Sequence, residues 1–300
     1  VAAGLTSAAL GTDTGGSVRL PSAYCGLTGL KPTFGRVSNH GVMPLSHSLD
    51  TVGPMARCVE DVALIYEVLQ GPDAQDQATQ YLPAHESTAG IRDGIQSMRL
   101  AVLPDSQRKQ SSESVNLAYE KTLECAGKLG AEIVIRGLPH PFETYRNLSS
   151  VIASAEGYAH CHELIDRQDL LIGDGTRVRM LPGKTCSAKE YLEAMNQIEL
   201  WRREYEKHMQ GIDALLTPTA TAPAIAVEDV DENILPAFYT RATNVLGLCA
   251  LALPNGQSDD GLPLSLCLHG HAFAEATVLR IGWALEQALG ENSRIPPGLT

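Results

Sequence analysis

Ser17 follows two glycines in the run Gly11-Thr-Asp-Thr-Gly-Gly-Ser-Val-Arg-Leu-Pro21, and that spacing suits an acyl-transfer nucleophile. A serine hydroxyl attacks a carbonyl well only when a base takes its proton. The oxyanion that forms must also be held. Glycine lets the backbone reach conformations other residues avoid and lets a ligand approach it closely. A turn of this composition can aim several N–H groups at one point, as an oxyanion requires. Ser17 is therefore a candidate nucleophile with its anion hole in the same turn. The run reads as too glycine-rich for the interior of a strand or helix. No base is visible in the neighbouring sequence.

Other readings of this loop need different residues. A phosphate-binding loop of the Gly-x-x-x-x-Gly-Lys-Ser/Thr kind needs a lysine that is missing, and a dinucleotide fingerprint needs Gly-x-Gly, also missing. Asp13-Thr14-Gly15 is the tripeptide that aspartic proteases use in pairs. The chain has no second Asp-Thr-Gly or Asp-Ser-Gly, so only a homodimer would supply the pair. A turn without chemistry is the remaining alternative. Lys31 is the nearest lysine, and nothing in its surroundings marks it as neutral, so it reads as scaffold.

The elements that must position this loop follow from patterning. Residues 1–54 read as short elements joined by shaped loops, and Val1–Gly4 as the tail of a helix. Helices are expected over Val59–Leu69, Ser112–Leu129, Val151–Asp166, Ser187 to about His208 and Ala274–Leu289. Ser187-Ala-Lys-Glu190 has the capping-box pattern. Strands are expected over Met98–Leu103, Ala131–Arg136, Asp213–Thr217, Cys249–Leu253 and Leu264–Leu268. Residues 72–97 read as a polar surface connection, and residues 218–223 as a loop near a pocket rim. Strands alternate with helices, so the fold class is α/β, with a largely covered sheet.

Composition narrows the function classes. The chain has 300 residues, 44% hydrophobic and 19% charged, the balance of a globular protein with a large core. A formal charge of -12 disfavours direct binding of a phosphate backbone. No apolar stretch reaches membrane-spanning length. Seven cysteines without a Cys-x-x-Cys pair fit a reducing compartment, and we expect a cytoplasmic protein. His160/His162 and His269/His271 lack a third ligand and read as packing or surface residues, so no metal and no cofactor is expected. Asp50 and Asp61 read as turn and cap residues. The chain opens on Val1 inside a small-residue run and reads as a truncated or internal piece.

The stretch from Ala8 to Ser38, which continues after Ser17 as Val-Arg-Leu-Pro-Ser-Ala-Tyr-Cys-Gly-Leu-Thr-Gly-Leu-Lys-Pro-Thr-Phe-Gly-Arg, closely resembles the signature segment of the amidase signature family. The likeness continues in Ser48-Leu-Asp-Thr-Val-Gly-Pro and returns in Tyr239-Thr-Arg-Ala-Thr-Asn-Val-Leu-Gly247 and Gly261-Leu-Pro-Leu-Ser-Leu266. The resemblance implies a mixed β-sheet core covered by helices on both faces. It implies one amidase domain over 1–300, with the signature in 1–70, a variable pocket-shaping region in 85–235 and closing strands and helix in 236–290. It further implies a Ser–cis-Ser–Lys triad that hydrolyses amides. Ser17 matches the nucleophile, and the backbone N–H groups of Thr14, Gly15, Gly16 and Ser17 match the oxyanion hole. The second serine and the lysine would both precede Val1. Asp13 and Arg19 are expected to support the loop, with substrate contact a lesser option for Arg19. Tyr239, Thr240 and Asn244 are expected to line the acyl pocket.

The expected substrate is a small-molecule amide, and a homodimer remains open. Two alternatives stand beside a free-standing amidase. One is the glutaminase subunit of a tRNA-dependent amidotransferase. Its members usually carry Asn-Leu-x-Arg-Tyr-Asp-Gly where this chain reads Val151-Ile-Ala-Ser-Ala-Glu-Gly-Tyr-Ala-His-Cys-His162, without that motif. The other is a non-catalytic remnant that binds or scaffolds.

Overall fold

The computed structural model describes residues 1–232 and 234–291. Among these residues eight strands form one sheet: β1 Ala8–Asp13, β2 Thr28–Lys31, β3 Thr51–Ala56, β4 Arg99–Val102, β5 Glu132–Ile135, β6 Ala214–Pro218, β7 Ala250–Gln257 and β8 Pro263–Gly270. Their spatial order is β1-β3-β2-β7-β8-β6-β4-β5. The pairs β4–β5 and β4–β6 are parallel and the other neighbours antiparallel, so the sheet is mixed.

Among the described residues eight α-helices cover it: α1 Arg19–Cys25, α2 Val59–Leu69, α3 Glu113–Lys128, α4 Phe142–Ile165, α5 Asp174–Met180, α6 Ala188–His208, α7 Arg241–Leu246 and α8 Glu275–Leu289. Strand alternation sorts the core into two layers. Leu100 and Val102 of β4 and Leu216 of β6 pack with Val59, Tyr66 and Tyr119 and with Val278 and Ile281 of α8. Ala101 and Leu103, with Leu215 of β6, face Tyr145 and Ile152 of α4, Ile198 and Trp201 of α6 and Val245 of α7. Successive strand side chains point to opposite faces, which makes both layers from one set of strands.

Several helix ends form as their sequences dictate. Ser187 and Glu190 make the capping box reciprocally, Ser112 caps α3, and Gly247 ends α7 at φ 70°. Three expectations are corrected. Val1–Gly4 is a turn closed by Gly4 N–H to Val1 O, not a helix tail. The glycine-rich run is not free of regular structure. Gly11, Thr12 and Asp13 extend β1 along β3, where Gly11 faces Gly53, and Arg19-Leu20-Pro21 opens α1. A partner strand remote in sequence supplies hydrogen bonds that local composition cannot reveal. Finally, α4 begins at Phe142, nine residues before Val151. Phe142 and Tyr145 anchor its first turns in the core, while Arg146, Ser149 and Ser150 line a cavity and interrupt the apolar period. The 72–97 connection is irregular, but Ile91 and Ile95 plug into the core.

Candidate active site

The loop between β1 and α1 is held by one carboxylate. Asp13 is fully buried and accepts from Gly16 N–H (2.7 Å) and Val18 N–H (3.3 Å). The Arg19 Nε and Nη2 groups close on its two oxygens at 3.0 and 2.9 Å, and Asn244 Nδ2 donates to Oδ1 at 3.0 Å. Burial raises the Asp13 carboxyl, but Arg19 beside it, helped by Lys31 and Asn244, outweighs this and brings it down to about 2. Arg19 is as buried as its partner and spends its other donors on Thr240 O, Thr243 Oγ1 and Asn244 Oδ1. Substrate contact by Arg19 is thereby ruled out. The pair is a buried strut between the loop and α7.

The turn that results points outward. Thr14 and Gly16 are buried, Gly15 is half-buried, and Ser17 is exposed. All four line a cavity of about 790 Å³. The Gly16 N–H is committed to Asp13, which reduces the expected set of four main-chain donors to Thr14, Gly15 and Ser17. Gly16 sits at φ +133°, a conformation that side chains with a Cβ rarely adopt. A Cβ there would also lie 2.3 Å from Thr240 Oγ1. Only glycine fits.

Two further supports come from distant segments. Asp50 accepts the Thr14 hydroxyl and the N–H groups of Leu45 and Ser46 (2.8 and 2.9 Å), so it does the expected turn work and also steadies the loop. Glu156 of α4 is buried and accepts from Ser46, Ser48 and the Tyr191 hydroxyl. Burial raises its carboxyl, but these hydrogen bonds hold it below the usual range.

The expected pocket residues turn inward instead. Thr240 is fully buried and donates to Gly15 O (2.7 Å), and Asn244 bonds Asp13 and Arg19. Tyr239 packs between Phe142 and Phe238 and reaches Ser111 through its hydroxyl. None of the three lines the cavity. Their segment contributes Arg241, because α7 presents that one residue outward between Thr240 and Ala242. The sequence signal for Arg241 was faint: a charge in a run of small residues, with no acid at helical spacing.

Lys31 is also buried, which its sequence context did not disclose. Its Nζ donates to Pro32 O at 2.6 Å, and burial lowers its ammonium to about 8. His269 lies behind Arg19. Thr217 gives its hydroxyl proton to Pro218 O, so His269 Nε2 must donate to Thr217 and Nδ1 must accept from Thr243. Burial, with the charges of Arg19 and Lys31, lowers His269 to about 3, so it is a neutral spacer. His271 reaches Glu206 and Ile212 O, and His160 and His162 are exposed on α4. Among the described residues no cluster of three or more His, Cys, Asp or Glu is arranged to hold a metal. No described helix is long and apolar enough to cross a membrane.

The family model "Amidase" matches residues 1–279. The chain belongs to the amidase signature family. A glutamyl-tRNA(Gln) amidotransferase subunit from Geobacter metallireducens is 33% identical over 96% of this chain, which spans 65% of that relative's length. The crystal structure of the corresponding amidotransferase subunit from Thermotoga maritima is 32% identical, with a TM-score of 0.80 over 95% of this chain and 63% of its own. The crystal structure of a peptide amidase in complex with the competitive inhibitor chymostatin is 26% identical, with a TM-score of 0.83 over 99% of this chain and 65% of its own.

Proposed function

We propose that the full-length protein hydrolyses a carboxylic amide through an acyl-enzyme on Ser17. The observation that carries this reading is the exposure of Ser17 on the cavity wall, at the end of a turn fixed by Asp13, with the Thr14 and Gly15 main chain beside it. Ser17 Oγ forms a bond to the carbonyl carbon while its proton passes to a base. The carbonyl electron pair moves to oxygen, where the turn's N–H groups receive it. Collapse of the adduct breaks the C–N bond, and the amine or ammonia leaves with a proton. Water then cleaves the ester, releasing the acid and restoring the hydroxyl. The family resemblance assigns the base to a lysine acting through a second serine in the full-length protein. Removing one oxyanion donor in such sites costs about 10²–10³ in kcat, so loop geometry weighs nearly as much as the hydroxyl. Seven free thiols fit a reducing cytoplasm.

The test is Ser17→Ala in the full-length protein, with amide turnover followed by ammonia release. We expect turnover to vanish while the unfolding midpoint is kept. Normal turnover in the variant refutes the assignment.

A second reading, the glutaminase component of an amidotransferase, is favoured by the names of the curated relatives. Against it stand the missing motif in 151–162 and, among the described residues, a cavity lining without an acidic side chain to receive an α-ammonium. Copurification with partner proteins, or strict dependence on glutamine, would reverse the order.

A further inference from the structure

We propose that the cavity beside Ser17 selects amides that carry a carboxylate, and that Arg241 is the residue that reads it. The proposal rests on the hydrolytic reading of Ser17 and names its substrate class.

Among the described residues the charged groups lining the cavity are Arg146, Arg179 and Arg241, and no acidic side chain lines it. This is an unexpected concentration of positive charge in a chain of net charge -12. Among the described residues none of the three arginines makes a salt bridge, although nine other arginine and lysine residues do. Three like charges brought to one cavity repel one another, and that repulsion is relieved by an anion.

Arg241 is the centre of the group. It is only 9% exposed, yet its Nε has no hydrogen-bond partner. Its Nη1 is anchored on Ser150 Oγ (2.6 Å) and Arg146 O (3.3 Å). That anchor fixes the guanidinium plane and leaves Nε, itself buried, without a partner. The same atom lies against the nucleophile loop, since a Cβ on Gly15 would sit 3.4 Å from Arg241 Nε. An unpaired buried donor is costly, and a carboxylate satisfies it with the geometry a guanidinium favours. Burial, then the charges of Arg146 and Arg179, lower the Arg241 pKa from its ordinary value, as expected of a cation awaiting a counter-ion. A zwitterion such as glutamine would bring an ammonium among three guanidiniums, so a plain acid amide fits better.

The experiment compares three substrates of one length in the full-length protein by ammonia release: glutaramate, glutamine and pentanamide. Glutaramate is the glutamine skeleton without its amino group, and pentanamide lacks the carboxylate. We expect kcat/KM for glutaramate to exceed that for pentanamide by about 100-fold, the usual worth of a buried charge pair, and to exceed that for glutamine. Arg241→Gln should collapse the glutaramate-to-pentanamide ratio by a similar factor. Arg179→Gln, at an exposed position that folding tolerates, should lower the ratio about threefold. Calorimetry of glutarate binding to Ser17→Ala reads the anion site without turnover, and adding Arg241→Gln should abolish the heat. Equal turnover of glutaramate and pentanamide, or equal loss of both in Arg241→Gln, overturns the proposal. Full turnover by Ser17→Ala, with glutarate still bound, overturns the nucleophile reading alone.

Discussion

Replacing Asp13 by Asn tests the strut on which the site is built. The substitution keeps the volume and one acceptor but puts an N–H₂ where a carboxylate oxygen meets Arg19 Nε at 3.0 Å and Val18 N–H at 3.3 Å. Arg19, fully buried, loses its counter-charge. Breaking a buried pair by removing one partner costs about 3–5 kcal/mol. Linkage gives a compatible lower figure. The Asp13 carboxyl falls from 3.8 to about 2 on folding. At about 1.36 kcal/mol per unit this is about 2 kcal/mol. The sign follows from the depressed value: this stability is present above the unfolded pKa and is lost as pH falls from about 4 through about 2. At about 2.1 cal/mol/K of unfolding entropy per residue, a loss of about 2–5 kcal/mol lowers Tm by about 3–8 °C. Denaturant unfolding at pH 7 and a Tm series between pH 7 and pH 2 are the assays. Asp13→Asn should be destabilised at pH 7 and should show a flatter acid profile than wild type. Adding Arg19→Met, which removes the stranded charge, should be no worse than Asp13→Asn alone. A cost below about 1 kcal/mol at pH 7, or an unchanged acid profile, would refute the strut.

Two further outcomes follow from the same geometry. Gly16→Ala should destabilise the fold by about 1–3 kcal/mol through strain, and should lower kcat more than it raises KM, because its Cβ meets Thr240 Oγ1 at 2.3 Å. Pairing it with Thr240→Ala, which removes the Oγ1 contact but leaves a Cβ at 2.9 Å and the positive φ, should recover only part of the loss. His269, lowered to about 3, should show no imidazole titration by NMR between pH 5 and 8. The stability it contributes is complete above the unfolded value near 6.5 and declines as pH falls toward about 3, so a midpoint near 6.5 would refute the buried hydrogen-bond chain.

Much of the scaffold can be read from sequence where signals are local. The capping box at Ser187 and Glu190, the cap at Ser112 and the apolar runs of β4, β6, β7 and β8 each need only neighbouring residues to declare themselves. The first turns of α4 escape such reading because Arg146, Ser149 and Ser150, which face the cavity, interrupt its apolar period. Helix α7 escapes it for the opposite reason: all six of its residues are buried and Arg241 alone meets the cavity, so it has no polar stripe to set a helical period.

Sequence by itself marked the loop. Asp13, Gly15, Gly16 and Ser17 lie within five residues, and their types already point to a tight turn that can present a hydroxyl. Tertiary structure alone decided what surrounds it. Thr240 and Asn244 turned behind the loop and Arg241 turned toward the cavity because α7 packs against α4 and α6, and that choice is made by contacts, not by helical period. Arg146 and Arg241 meet across 95 positions of chain. No local pattern encodes a convergence of that kind, because the distance between two side chains is set by how the layers pack on the sheet.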